Sequence, residues 1–136
     1  MADSFQELEV WQVSMDLAVE VPDVVLQFPG QFRWLAQQMM KSAESVPSNI
    51  AEGFERQSNG DFVRFLRIAK ASLGELDNHL IYARRRDLIG EQEHDRLAQQ
   101  SLRVRKMLSK LTSYLLKAKS KPRRSGTKNQ ERGTRD

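Results

Sequence analysis

SVPSNIAEGF, residues 45–54, contains a proline inside a regular apolar pattern that is typical of a helix. Apolar side chains recur every third or fourth residue before and after Pro47, in one unbroken phase: Phe32, Leu35, Met39, Ala43, Val46, Ile50 and Phe54. A proline in a helix interior removes one backbone hydrogen bond and costs about 3 kcal/mol. Because the phase does not change, the sequence predicts one helix with a kink at Pro47 rather than two helices.

Three further helices are predicted, at about residues 7–28, 59–86 and 91–118. Ser58 or Asn59 begins the third helix, and Gly90 separates it from the fourth. The fourth helix has a heptad-like apolar seam, formed by Leu97, Ser101, Val104, Leu108, Leu111 and Leu115. Short connections at 29–30 and 57–58 favour antiparallel neighbours. The predicted fold is therefore all-α, an antiparallel up-down four-helix bundle over residues 1–118.

The composition is typical of one globular domain. With 136 residues, of which 39% are hydrophobic, the chain can bury a core without a disulfide or a structural metal. It has no cysteine, so it offers neither a thiolate nucleophile nor a sign of secretion. We expect a cytoplasmic protein with no membrane contact, because no stretch approaches the roughly 18 apolar residues of a membrane span and no basic-then-apolar leader begins the chain.

Residues 119–136 have a different composition from the rest of the chain. Their seven cations exceed their two carboxylates by five, so residues 1–118 have a net charge of −1 within the total of +4. No large apolar side chain is present there, which predicts a disordered basic tail. Lys121, Arg123 and Arg124 are candidate contacts to nucleic-acid phosphates. Solvated charge that only aids solubility explains the tail equally well.

The first helix has two apolar stripes, although a helix with one buried face needs only one. The second stripe consists of Val10, Val13, Leu17, Val21, Val24 and Phe28. Inside a four-helix bundle we expect this flank to be only partly covered by the chain's own helices. Val13, Leu17, Val21 and Val24 are therefore candidates for a contact between subunits.

Several segments resemble the bacterial four-helix-bundle family of rRNA intervening-sequence proteins. LEVWQ at 8–12 resembles the family's opening DLEVWQ, and SVPSNIAEG at 45–53 resembles SIPSNIAEG, the most specific segment. RFLRIA at 64–69, followed by SLGEL at 72–76, resembles RFLxIAxGSLxEL, with Ala71 where a glycine is usual. The resemblance implies a homo-oligomeric barrel of five subunits. It also implies kinship with accessory proteins of diversity-generating retroelements, which bind nucleic acid and a reverse transcriptase, and it implies no catalytic activity.

The central motif has two interpretations. In the structural one, Ser45, Pro47, Asn49, Glu52 and Gly53 shape the bent helix and its turn, since polar side chains beside a proline can bond to freed backbone groups. In the functional one, Asn49 and Glu52 form a polar patch with Arg56 that contacts a partner.

Catalytic and metal sites are not supported by the sequence. His79 and His94 lie on different predicted helices without a further ligand at a metal-binding spacing, and the single ExxH match, ending at His94, lacks the second one that a di-iron bundle needs. No glycine-rich phosphate loop follows a strand. We therefore expect no enzyme activity, no metal and no cofactor.

Basic residues on the last two helices suggest a function. The candidates for phosphate contact are Arg64, Arg67 and Lys70 on the third helix, with Arg103, Arg105, Lys106 and Lys110 on the fourth. The sequence predicts a homo-oligomeric scaffold that binds RNA or DNA through backbone phosphates, and the family resemblance implies that it is a pentamer. The alternative is a protein-interaction module that docks onto a partner such as a reverse transcriptase, with cations that serve solubility.

Overall fold

The computed structural model describes residues 2–118, and the predicted tail at 119–136 lies outside them. Four helices make up the fold: α1 (Glu9–Val25), α2 (Arg33–Phe54), α3 (Asn59–Arg85) and α4 (Glu91–Lys117). Short 3-10 helices at Phe5–Glu7 and Gly30–Phe32 precede α1 and α2. Each helix packs against its neighbours in sequence, and α1 also packs against α4, which closes the antiparallel bundle. The all-α, four-helix prediction is confirmed.

The ends of α3 follow from local chemistry. Ser58 precedes the helix, and its hydroxyl accepts a hydrogen bond from the Asp61 backbone N–H at 3.1 Å, which satisfies one of the free N–H groups of the first turn. At the other end Asp87 adopts a left-handed conformation with φ 61°. The next residue, Leu88, donates its backbone N–H to the Ala83 carbonyl at 2.9 Å, the bond that ends many helices.

α2 runs without interruption through Pro47, as the unbroken apolar phase predicts. Pro47 is buried inside the helix, and so are Val46 and Ile50 on either side of it. The proline therefore lies in the core of the bundle, where packing of the surrounding apolar stripe compensates for the missing backbone bond.

α1 corrects one expectation of the sequence analysis. Leu17, Val21 and Val24 are 1%, 0% and 4% exposed within a single chain, and Val13 packs partly buried against the same core. The flank is covered because α1 packs against α2 on one side and α4 on the other. The expectation that this stripe is open to another subunit is wrong, because Leu17, Val21 and Val24 lie in the bundle's own core.

Each of the four buried polar residues among residues 2–118 makes a hydrogen bond within the chain, although Asn59 Oδ1 and the partly buried His79 Nε2 have no hydrogen-bond partner. Ser14 and Ser42 donate to the carbonyl groups three residues earlier, and Ser101 donates to Asp77 Oδ1 at 2.5 Å. Asn59 Nδ2 donates to the Ala118 carbonyl at 3.2 Å. This last bond joins the end of α4 to the beginning of α3 and fixes the point from which the basic tail starts.

Candidate nucleic-acid interface

The central motif forms a polar junction between α2 and α3. Asn49 Nδ2 donates to the Ser45 carbonyl at 2.8 Å and lies 3.0 Å from Ser45 Oγ. Ser45 Oγ in turn shares a hydrogen bond of 2.9 Å with Ser72 Oγ on α3. The polar residues beside Pro47 are therefore used inside the chain, where they join the proline-containing helix to its neighbour.

Gly53 is the point of closest approach in the same junction. A Cβ at this position would lie 2.8 Å from both Phe62 Cδ1 and Phe65 Cβ on α3, which is closer than real Cβ contacts. The motif glycine is therefore explained by the close packing of two helices. Glu52, the other motif residue, is exposed and pairs with Arg56 at 2.7 Å, an i, i+4 ion pair on the surface.

The predicted basic residues of α3 have different partners. Arg64 pairs with Asp61 at 2.9 Å, and its guanidinium carbon lies 4.4 Å from the centre of the Phe65 ring. Lys70 donates to Ser109 Oγ on α4 at 3.2 Å. Arg67 is exposed, with no carboxylate within 4.0 Å among residues 2–118. Of these three candidates, Arg67 and Lys70 are therefore the ones without a carboxylate partner in the described residues.

α4 divides its basic residues in a similar way. Arg103 pairs with Glu9 of α1 at 3.1 Å, and Arg105 pairs with Asp77 of α3 at 2.7 Å. These two arginines link neighbouring helices, and their charge is already balanced. Lys106 and Lys110 are exposed, and neither has a carboxylate partner in the described part of the chain.

Four exposed candidates on α3 and α4 thus have no carboxylate partner in residues 2–118, and we call them the α3/α4 basic surface: Arg67, Lys70, Lys106 and Lys110. The bond from Lys70 to Ser109 places the α3 cations beside the turn of α4 that holds the two lysines. Lys106 and Lys110 are one turn apart and so lie on one helix face. The tail candidates Lys121, Arg123 and Arg124 lie outside the described residues.

A second surface was not assigned from the sequence. Trp34, near the start of α2, and Tyr82, near the end of α3, are 49% and 40% exposed. Their ring centres are 5.8 Å apart with an angle of 59° between the planes. The signal in the sequence that could have indicated this surface was an arginine close to each aromatic residue, at 33 and at 84–86. Trp34 and Tyr82 are 48 residues apart, however, and only the fold brings them together.

Comparison with protein-family models matches residues 6–110 to the family described as 23S rRNA-intervening sequence protein. The chain belongs to this family. The match includes the motif at 45–53, the α3/α4 basic surface and the Trp34–Tyr82 pair, whereas residues 119–136 lie beyond it. The family predicted from the motifs is therefore confirmed.

The fold of the chain is similar to that of a crystal structure from Bacteroides thetaiotaomicron, described as a protein with unknown function from the S23 ribosomal protein family. The chains are 24% identical, the match covers 76% of this chain and 95% of that one, and the TM-score is 0.71. At that identity the similarity shows the fold alone. A search of curated proteins finds no match.

Each histidine lies beside one carboxylate of its own helix. His79 Nε2 lies 3.5 Å from Glu75 Oε2, and His94 Nδ1 lies 3.3 Å from Asp95 Oδ1, both as pairs within one helix. Among residues 2–118 no three His, Asp or Glu side chains meet in an arrangement that could hold a metal ion. None of the described helices is both long and apolar enough to span a membrane.

Proposed function

We propose that this protein is a non-enzymatic helical scaffold that assembles as a homo-oligomer and binds RNA or DNA through backbone phosphates. The α3/α4 basic surface is the observation that supports the proposal. Its cations are exposed without a carboxylate partner in residues 2–118, although the net charge of residues 1–118 is −1. Carboxylates elsewhere neutralise Arg64, Arg103 and Arg105, so a concentration of free positive charge remains on one surface, where phosphates can supply the missing anions.

The salt dependence of binding tests this proposal. Each phosphate that is neutralised lowers the logarithm of the affinity by about 0.9 per logarithmic unit of salt for a duplex and about 0.7 for a single strand. We expect a slope that corresponds to several phosphates when the full chain is titrated into a labelled RNA. Binding of RNA or DNA with no salt dependence would contradict the phosphate contact.

Two single substitutions on α4 make a matched pair. Lys110→Gln removes a free cation, whereas Arg103→Gln removes one that Glu9 already neutralises at 3.1 Å. Both change the net charge by the same amount on the same helix. We expect Lys110→Gln to weaken RNA binding and to reduce the salt slope by about one phosphate. Arg103→Gln should leave the slope nearly unchanged, and equal effects of the two would show that only net charge matters.

Assembly is proposed from an exposed apolar strip on α1 rather than from its buried stripes. Val19 is 59% exposed, and Leu26, the residue directly after α1, is 82% exposed. Because Leu26 keeps a helical conformation and follows Val19 by seven residues, the two lie on one face. A closed symmetric assembly would cover this strip and would repeat the α3/α4 basic surface on each subunit. We propose five subunits, the number that the resemblance implies. Light scattering should then give a mass several times 15.7 kDa, and a folded monomer would refute assembly.

The same strip favours the alternative function, docking onto a different protein such as a reverse transcriptase. An apolar interface of that kind changes little with salt, whereas phosphate contacts weaken steeply. Leu26→Glu separates the cases. If the protein binds nucleic acid through phosphates, this substitution should abolish partner binding while the RNA affinity of the full chain persists. If RNA reaches the protein only through that partner, the substitution should abolish all binding.

A further inference from the structure

We infer that the Trp34–Tyr82 pair is a stacking platform for unpaired bases of a single-stranded nucleic acid. The inference rests on the proposed nucleic-acid function and narrows the ligand to strands whose bases are accessible. The α3/α4 basic surface offers contacts to phosphates alone, which every strand and duplex presents. The aromatic pair adds a contact that a fully paired duplex does not satisfy.

The geometry of the pair leaves ring surface accessible. Trp34 and Tyr82 remain 49% and 40% exposed although their ring centres are only 5.8 Å apart. Trp34 lies in the first turn of α2, and Tyr82 lies one turn before the end of α3. The packed bundle therefore holds the two rings in fixed positions. A large aromatic pair exposed on rigid elements matches the way single-strand binding proteins present rings to bases.

The charge around the pair favours a polyanion as its occupant. Arg33 directly precedes Trp34, and Arg86 follows Tyr82 by one turn, with its guanidinium carbon 5.4 Å from the centre of the Phe32 ring. Neither arginine has a carboxylate within 4.0 Å in the described residues. The exposed Lys41 lies on the same face of α2 as Trp34, two turns further on, and it too has no carboxylate partner there.

The carboxylate nearest to Tyr82 along the chain, Asp87, already has a partner, since it pairs with Arg84 at 3.5 Å. Near the rings, Arg33 and Arg86 therefore have no carboxylate partner in the described residues, whereas Asp87 has one. An apolar peptide would gain from the rings but would leave the arginines without partners, whereas a nucleotide strand satisfies the rings with bases and the arginines with phosphates.

The platform and the α3/α4 basic surface are close enough for one strand to contact both. Lys70 and Tyr82 are twelve residues apart on α3, which corresponds to about 18 Å along the helix at 1.5 Å per residue. A flexible single strand of several nucleotides spans that distance. Stacking at the platform would then add to phosphate binding and would distinguish single strands from duplexes.

The test compares three labelled probes of equal length by fluorescence anisotropy: a mixed-sequence RNA single strand, the corresponding duplex, and a strand with the same phosphates but with abasic sites. The variants are Trp34→Ala and Tyr82→Ala. Ile81→Ala is the matched control, because Ile81 is an exposed apolar residue in the same turn of α3. Circular dichroism confirms that each variant keeps the helical fold, and Trp34→Phe tests rescue by a retained ring.

We expect Trp34→Ala and Tyr82→Ala to weaken binding of the RNA single strand by between about 5- and 150-fold, the range for loss of one stacked base. Duplex and abasic probes should bind each variant as they bind the wild type, Ile81→Ala should match the wild type, and Trp34→Phe should recover part of the affinity. Unchanged single-strand affinity in both alanine variants would overturn the platform while phosphate binding stands.

Two other outcomes also overturn the inference. If the wild type binds none of the three probes at low salt, the proposed nucleic-acid function fails, and the platform fails with it. If Trp34→Ala alters the mass of the protein by light scattering without altering RNA affinity, the pair is a contact between protein chains instead.

Discussion

Gly53→Ala tests whether the motif glycine is there for helix packing. The new methyl group would lie 2.8 Å from Phe62 Cδ1 and 2.8 Å from Phe65 Cβ. Phe65 Cβ is attached to the α3 backbone, so relief requires the two helices to separate. Overpacking of this kind costs about 1–3 kcal/mol, and the helix propensity of alanine returns at most about 1 kcal/mol. With the full propensity gain, we expect a net loss of about 0–2 kcal/mol in the free energy of unfolding.

Gly74→Ala is the matched control within α3. The nearest atom to a Cβ at that position is Arg105 Nη2 at 3.9 Å, an ordinary contact. Without a clash the propensity gain remains, and the variant should be more stable than wild type by about 0.5–1 kcal/mol. Denaturant unfolding followed by circular dichroism at one protein concentration measures both. A Gly53→Ala variant as stable as Gly74→Ala would refute the close-packing explanation.

Three further substitutions or deletions test other contacts. Leu17→Glu buries an unpaired carboxylate and should cost about 3–5 kcal/mol. It should therefore unfold the chain rather than release folded monomers, whereas Gln12→Glu on the exposed face should have little effect on the melting temperature. Asn49→Ala removes the side-chain bonds to Ser45 and should cost about 1 kcal/mol in denaturant unfolding, and an unchanged midpoint would contradict the junction. Deleting residues 119–136 removes a charge of +5 and no large apolar side chain, so it should leave the melting temperature unchanged and reduce the salt slope of RNA binding; an unchanged slope would exclude the tail from the contact.

The helices were predictable because their signals are local. α3 was predicted at 59–86 and is found at Asn59–Arg85, since Ser58 caps its start and the apolar repeat marks its length. α1 was predicted at 7–28 but extends from Glu9 to Val25. Its first turn cannot begin earlier because Leu8 is extended, with ψ 124°. Apolar periodicity alone does not report such a backbone conformation.

The surface could not be predicted in the same way, because it depends on contacts between distant segments. Arg103 and Glu9 are 94 residues apart, and Arg105 and Asp77 are 28 apart. A single sequence shows these arginines as free cations, whereas the fold neutralises them. The two stripes of α1 present the same problem, since the number of helices that cover α1 follows from topology and not from its own pattern.

The bond between Asn59 and Ala118 has a consequence for the size of any nucleic-acid ligand. It fixes the root of the basic tail beside the start of α3, whereas Tyr82 lies 23 residues further along that helix, about 35 Å away at 1.5 Å per residue. About 10 nucleotides of one strand, at about 3.4 Å each, cover the same length. α3 thus holds the Ala118 carbonyl and Tyr82 at a fixed separation, and a shorter oligonucleotide cannot lie along the whole of this span. Affinity plotted against oligonucleotide length should therefore rise sharply once a strand is long enough to reach from one end to the other.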